Sequence, residues 1–317
     1  MAQTPVIIDT DPGIDDFMML LVALIHEKLD VQLITTAPGN LEQNQTYENA
    51  LKMVSYLGKE IEVARGLNKP IFKSLETAPD FHGETGTGNV VFPKSNFPGS
   101  IRTAISAMYD VISKSDVPIT IVTSGPLTNV GLLLSTHPEL KSNIKRISMM
   151  GGAVMGGNVI PTAEFNIYAD PDAAELVFRS GVPVIMSGLD ATRQAFLTEP
   201  ELENIRAINS DLSDKVYRML KFYQEASMGS PFNVTYFEDV VRLHDVCAAA
   251  YIIDPSLFSG NFYYVTVERN SPLTAGTTFV DYLDTLGRQP NAYVLHDVDR
   301  ERLVDLFIDS IRSYELA

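Results

Sequence analysis

Tryptophan is absent from this chain and cysteine nearly so: its 317 residues include no Trp and a single cysteine, Cys247. One thiol excludes an internal disulfide framework and any zinc site built from several thiolates. No cation adjoins it to lower its pKa, so Cys247 reads as a small buried residue and not as a nucleophile. No apolar run reaches the ~18 residues of a transmembrane helix. The first ten residues lack a basic patch followed by a long apolar stretch, so no secretion signal is read and the cytoplasm is the expected compartment. Basic side chains are scarce, with 24 Lys and Arg against 40 Asp and Glu and a formal net charge of −16. That balance repels polynucleotides and anionic membranes, and leaves cations and neutral small molecules as partners. Three chemical signatures are also missing: the Gly-x-Ser-x-Gly elbow, the Walker loop and the dinucleotide glycine fingerprint.

What is present is a repeating alternation. A chain of this length buries about 75% of its unfolded surface, and a 45% hydrophobic content suits a globular protein. Short β-branched runs at Val6–Asp9, Val31–Thr36, Ile61–Ala64, Ile119–Thr123, Ile147–Met150 and Pro183–Ser187 read as buried strands. Amphipathic stretches separate them, such as Phe17, Leu20, Leu21 and Leu24 on one face, Tyr47, Leu51 and Val54 on another, and Ile101 to Ile112. This pattern predicts an α/β fold, Rossmann-like, with one open, mostly parallel sheet and helices on both faces. Later residues predict helix through Ile208 and again from Leu212 to Ser227. Strands are predicted at Tyr263–Glu268, Thr278–Tyr282 and Ala292–His296, and a closing helix from Asp299 to Tyr314. No linker or repeat interrupts the chain, so one domain over 1–317 is expected. The Gly- and Pro-rich stretch from Gly66 to Pro98 is long for an idle loop and is expected to carry function.

In open α/β sheets, ligands sit beyond the carboxyl ends of the strands, and the unusual polar residues of this chain fall there. The first strand runs into Asp9-Thr10-Asp11-Pro12-Gly13-Ile14-Asp15-Asp16, four carboxylates in eight residues. Helix capping explains one or two of them. Like charges so close raise one another's pKa unless a cation intervenes, and no Lys or Arg occurs before Lys28. A bound metal is the economical reading, and hard oxygen donors favour calcium or magnesium over zinc. Further candidates follow later strands: Gly39-Asn40, His82, Ser124 to Asn129, Met150-Gly151-Gly152, Asn158, Glu164-Phe165-Asn166 and His244-Asp245. Each has an ordinary alternative as a turn, cap or loop residue; together they mark one rim.

These segments resemble a family. Asp9 to Asp16 is similar to the N-terminal signature of the inosine–uridine-preferring nucleoside hydrolases. The segments Ile34 to Asn40, Gly125 to Asn129, Met150 to Gly152, Ala163 to Asn166, His244-Asp245 and Asp254-Pro255 follow in the family's order at similar spacing. The resemblance implies a calcium-dependent hydrolase of the N-glycosidic bond of ribonucleosides, with calcium-bound water as nucleophile and an assembly of two or four chains. By position, Asp11, Asp16, Asp245 and the Ser124 carbonyl would hold the Ca2+, and Asp11 would take the water's proton. Asp15 and Asn166 would hold the ribose diol, with Asn40 close by, and Asn158 and Glu164 the 5′-hydroxyl. Met150 and Phe165 would pack on the sugar. His82 and His244 would stand near the leaving base, with His244 the expected acid. Tyr223 and Tyr236 are candidates to stack on the base. Ser124, where threonine is common, Pro38 and Val246 depart from the family's pattern. Two other readings are an aspartate-nucleophile phosphatase, which needs a later lysine and a second acidic pair beyond the lone Asp190, and a non-catalytic calcium-dependent nucleoside or ribose binder.

Overall fold

Val6, Ile7 and Ile8 are all fully buried, and they are successive residues of one strand, β1 (Thr4–Thr10). A strand buries consecutive side chains only when both faces of its sheet are covered, as in the parallel sheets of α/β proteins. Val6 and Ile8 enter one hydrophobic core and Ile7 the other, on opposite sides of the sheet. The computed structural model describes residues 3–228 and 240–316.

After β1 the chain forms α1 (Ile14–Ile25), β2 (Leu29–Thr36), α2 (Gln43–Tyr56), β3 (Val63–Arg65), α3 (Pro79–His82), α4 (Ala104–Lys114), β4 (Ile119–Thr123) and α5 (Thr128–Thr136). It continues through β5 (Ile144–Met150), α6 (Phe165–Ala169), α7 (Pro171–Phe178), β6 (Val184–Ser187), α8 (Leu189–Thr192), β7 (Phe196–Leu197), α9 (Glu199–Arg206) and α10 (Asp211–Met228). The described remainder holds β8 (Val241–Arg242), α11 (Val246–Ile253), β9 (Phe258–Tyr263), β10 (Val265–Val267), β11 (Thr278–Val280), β12 (Ala292–Val298) and α12 (Arg300–Glu315). Eight strands form the main sheet in the order β3-β2-β1-β4-β5-β6-β12-β9, and every pairing is parallel except β12 with β9. The succession reverses between β1 and β4, so the loops leaving those two strands diverge and open a crevice. No helix among the described residues is long and apolar enough to cross a membrane.

The α/β class and the mostly parallel sheet agree with the sequence pattern; local boundaries differ for identifiable reasons. The third strand is Val63–Arg65, not Ile61–Ala64, because Val63 and Ala64 are the residues that face β2. The helix expected from Ile101 begins at Ala104, where the Thr103 hydroxyl accepts from the Ser106 amide as an N-cap. The helix expected to run through Ile208 ends at Arg206. The strand expected over Tyr263–Glu268 is two strands. Tyr263 ends β9 in the main sheet, while Val265–Val267 pairs with β11 in a separate ribbon. Asn291 makes the division: its side chain accepts from the Val265 amide and donates to the Val265 carbonyl, satisfying that residue away from the main ladder. The edge strand Phe258–Tyr263 escaped the pattern because its residues are half exposed and form no apolar run.

Candidate active site and metal centre

The crevice between β1 and β4 is filled by carboxylates. Asp16 stands in the first turn of α1 and is fully engaged. Its Oδ1 accepts from the hydroxyls of Thr10 and Ser124, each at 2.6 Å. Its Oδ2 accepts from the Gly13 amide at 2.9 Å and from Asn40 Nδ2 at 2.8 Å. The capping role that accounts for such a residue is real here. Asp11 is different. Its Oδ2 accepts from the Asn40 amide at 2.7 Å, but Oδ1 is buried with no hydrogen-bond partner, as is Oδ1 of Asp15. Two glycines make room for the Asp11 carboxylate: a Cβ on Gly39 would lie 2.1 Å from its Oδ2, and one on Gly125 2.5 Å from its Oδ1.

Asp245, at the start of α11, completes the basin. Oxygens of Asp15, Asp16 and Asp245 come within 4.8 Å of one another. Among the described residues none of these carboxylates is paired with a lysine or arginine; the nearest basic group is His82, whose Nδ1 is 3.9 Å from Asp15 Oδ1. Burial, reinforced by Asp16, pushes Asp11 well above the carboxylate range and Asp15 up to about 7. Burial, with the charges of Asp15, Asp16 and Asp11, does the same to Asp245. Orphaned anionic oxygens, packed together and without a counter-charge, fit a hard divalent cation. Asp9, one of the four acids counted in the sequence, is not part of this basin. Its Oδ1 accepts from the Thr35 hydroxyl and Asn129 Nδ2, and Asp245, far off in the chain, takes its place.

A cavity of about 250 Å³ opens above the basin, and the expected residues Asp15, Asn40, His82, Ser124, Met150, Asn158, Glu164, Phe165, Asn166, His244 and Asp245 all line it. Asp11 and Asp16 lie beneath, linked to it through Asn40. Asn166 Nδ2 donates to the Ser124 carbonyl at 2.7 Å and to the Met150 carbonyl at 3.2 Å, so the carbonyl expected as a ligand already has one partner. Glu164 caps α6, its carboxylate accepting from the amides of Gly152, Asn166 and Ile167; burial still raises its pKa to about 7. Asn158 Oδ1 accepts from the Phe165 amide, which leaves its Nδ2 for other work.

The other wall is basic and aromatic. The His82 ring stacks on Tyr223, with centroids 5.4 Å apart, and its Nδ1 accepts from the Ile14 amide. Burial lowers its pKa to about 4. The Tyr223 hydroxyl reaches Asp15 at 3.4 Å; Tyr236 lies outside the described residues. His244 is pushed down to about 3 by burial and by the guanidiniums of Arg242 and Arg193, so near neutral pH its ring is uncharged. Arg193 and Arg242 line the cavity, and sequence reasoning missed both. Arg193 follows Gly188-Leu189-Asp190 at the carboxyl end of β6, and the strand-end rule applied to that segment would have found it. Asp190 itself holds backbone, accepting from the amides of Val154 and Met155, and Arg193 donates to the Gly157 carbonyl.

The raised carboxyls set a pH signature. A carboxyl whose pKa is raised by folding favours the folded state at and below its unfolded value near ~4, and that contribution is lost as pH climbs to the folded value. For Asp15 the folded value is about 7. Chelator-treated protein is therefore expected to lose stability as pH rises from about 4 to about 7. An added divalent cation should raise the melting temperature by several degrees at about pH 8 and far less at about pH 5. Thermal melts with and without cation check this; an equal shift at both values would contradict it.

A family profile described as inosine-uridine preferring nucleoside hydrolase matches residues 6–305. The pyrimidine-specific ribonucleoside hydrolase RihA of Escherichia coli O1:K1 / APEC is 42% identical over 311 residues, 98% of this chain and 99% of that protein. Among solved structures, the purine-preferring ribonucleoside hydrolase from Gardnerella vaginalis superposes with a TM-score of 0.91 at 32% identity, covering 99% of this chain and 100% of that one. The plant nucleoside hydrolase PpNRh1 superposes with a TM-score of 0.90 at 30% identity, covering 97% and 98%. With the profile matching nearly from end to end and a curated relative 42% identical over 98% of the chain, the chain belongs to the inosine–uridine-preferring nucleoside hydrolase family.

Proposed function

We propose that this ribonucleoside hydrolase holds one calcium ion in its acidic basin and acts chiefly on pyrimidine ribonucleosides, releasing free base and ribose. The observation that carries the metal reading is the pair of orphaned buried oxygens, Asp11 Oδ1 and Asp15 Oδ1. Asp11, Asp16 and Asp245 would hold the ion with the Ser124 carbonyl, and Asp15 stands close enough to share it. Bound there, calcium supplies Lewis acidity and a flexible sphere of about six to eight oxygens, enough for a sugar diol and a water. Pyrimidine preference is supported by the 42% identity to a pyrimidine-specific relative, against 32% to a purine-preferring one.

The chain's own groups divide the remaining work. Asp11 Oδ1, with no donor of its own, is the base that takes a proton from the attacking water. Asp15 and Asn166 face the ribose diol, with Asn40 behind Asp11, while Asn158 and Glu164 address the 5′-hydroxyl. Positive charge builds on the sugar as the N-glycosidic bond opens, and a pocket of carboxylates stabilises it. Met150 and Phe165 pack against the sugar; His82, Tyr223 and His244 surround the departing base. With its pKa at about 3, His244 serves that base as a neutral hydrogen-bond donor. The same reading takes the enzyme to work in the cytoplasm as a dimer or tetramer.

Screening uridine, cytidine, inosine and guanosine for released base and reducing sugar tests the substrate class, with uridine and cytidine expected to lead. Strong chelator should abolish the activity and calcium restore it. Asp11→Ala should slow uridine hydrolysis by about 10³-fold. Full activity in chelator, with no calcium found by elemental analysis, would end the metal reading. Removing the 2′-hydroxyl strands the buried groups built to meet it, so kcat/KM for 2′-deoxyuridine should fall by about 10⁴-fold relative to uridine. Equal values would contradict the assignment of Asp15 and Asn166 to the diol.

A further inference from the structure

The short turn α8 has no part in the function argued above, yet one of its residues touches His244, which lines the cavity. The Thr192 hydroxyl lies 2.8 Å from Nδ1 of His244. Thr192 is fully buried, and among the described residues this is the sole hydrogen bond of its hydroxyl and of the His244 ring. Either atom can donate in principle, because the ring proton can sit on Nδ1 or Nε2. The two arrangements differ in what they strand. If Nδ1–H donated to Thr192, the hydroxyl proton would face a buried interior with no acceptor among the described residues, which is unfavourable. If the hydroxyl donates to a bare Nδ1, nothing buried is left unpaired, and the ring proton sits on Nε2, across the ring from Thr192. His244 lines the cavity, and Nε2 is the ring nitrogen left for it.

We infer that Thr192 is a positioning residue: its hydroxyl donates to Nδ1 of His244, which fixes the ring proton on Nε2 and presents Nε2–H as a hydrogen-bond donor to the departing base. This rests on the placement of His244 beside that base. When the glycosidic bond breaks, the electron pair leaves with the base, and a donor held at the developing anion lowers the barrier. No proton need cross in that step; the base takes one from solvent afterwards, and His244 ends as it began. Thr192 also holds the ring's orientation, because α8 is itself tied by the amides of Ala191 and Thr192 to the Gly188 carbonyl at the end of β6.

Nitrogen-15 imidazole spectra of histidine-labelled protein test the tautomer directly, with His244→Gln identifying the signal among the five histidines. A bare Nδ1 and a protonated Nε2 are expected for His244 in the unmodified chain; a protonated Nδ1 overturns the inference whatever the activity. In Thr192→Val, which keeps shape and removes the hydroxyl, the signal should shift toward a mixture of tautomers. The same variant should lose about 10-fold in kcat on uridine with KM little changed. Its rate on a nitrophenyl riboside, whose leaving group is stable as an anion, should change less than about 3-fold. Thr192→Ser should recover the uridine rate. Equal losses on both substrates, or no loss on uridine, would make Thr192 merely structural and refute the role. Should Thr192→Val fail to fold, the spectrum of the unmodified chain still decides the tautomer, and Thr192→Ser still tests the hydroxyl. If no nucleoside is cleaved at all, the functional reading fails by itself, and the spectrum still judges the tautomer.

Discussion

Buried carboxylates without a counter-charge are the constraint on which this structure turns. Asp15, Asp16 and Asp245 bring oxygens within 4.8 Å of one another in the interior, with Asp11 beside them. Desolvation and mutual repulsion make such a group costly as anions, and the protein relieves that cost unevenly. Asp16 receives hydroxyl, amide and carboxamide donors on both oxygens. Asp11 and Asp15 each keep one oxygen with none. A basin arranged for hydrogen bonding alone would not leave anionic oxygens orphaned, whereas one arranged for a cation must.

Much of the neighbouring sequence follows from that need. Gly39 and Gly125 come from different strand ends and close on the same carboxylate, where any Cβ would collide with it. Asn40 ties Asp11 to Asp16 through its amide and side chain. The turn containing Pro38 delivers that amide. Asn166 bridges the carbonyls at the ends of β4 and β5 and so fixes the floor of the cavity. The anionic basin and the basic, aromatic wall also divide the chemistry. In the proposed reaction, one side would meet the positive charge that grows on the sugar and the other the negative charge that grows on the base.

The site was legible wherever its residues cluster along the chain. Asp11, Asp15 and Asp16 announce themselves because four acids in eight residues exceed what helix capping can use. Even there the count misled in one detail: Asp9 is still inside β1, on the face opposite Thr10, whose hydroxyl meets Asp16, so Asp9 turns to Thr35 and Asn129, while Asp11 lies past the strand's end. Thr192 and Arg242 were invisible for the opposite reason, whereas Arg193 stood just past the carboxyl end of β6, where the strand-end rule looks. Neither of the first two stands in a conspicuous cluster, and a threonine in a short helix or an arginine on a two-residue strand looks like ordinary surface until its neighbours are known.

Sequence alone was enough for the α/β class, the mostly parallel sheet, the acidic segment at the end of the first strand and the family to which these segments belong. Such features depend on periodicity and on contacts among residues close in the chain. Only the folded chain brings Asp245 to Asp15 and Asp16 and stacks His82 on Tyr223. It alone decided that Glu164 spends its carboxylate on backbone amides, and that Thr192 meets Nδ1 of His244. Each is a contact between segments brought together only when the sheet and its crossovers close. Each is settled by which buried polar atoms find partners, a condition that no single stretch of sequence can state.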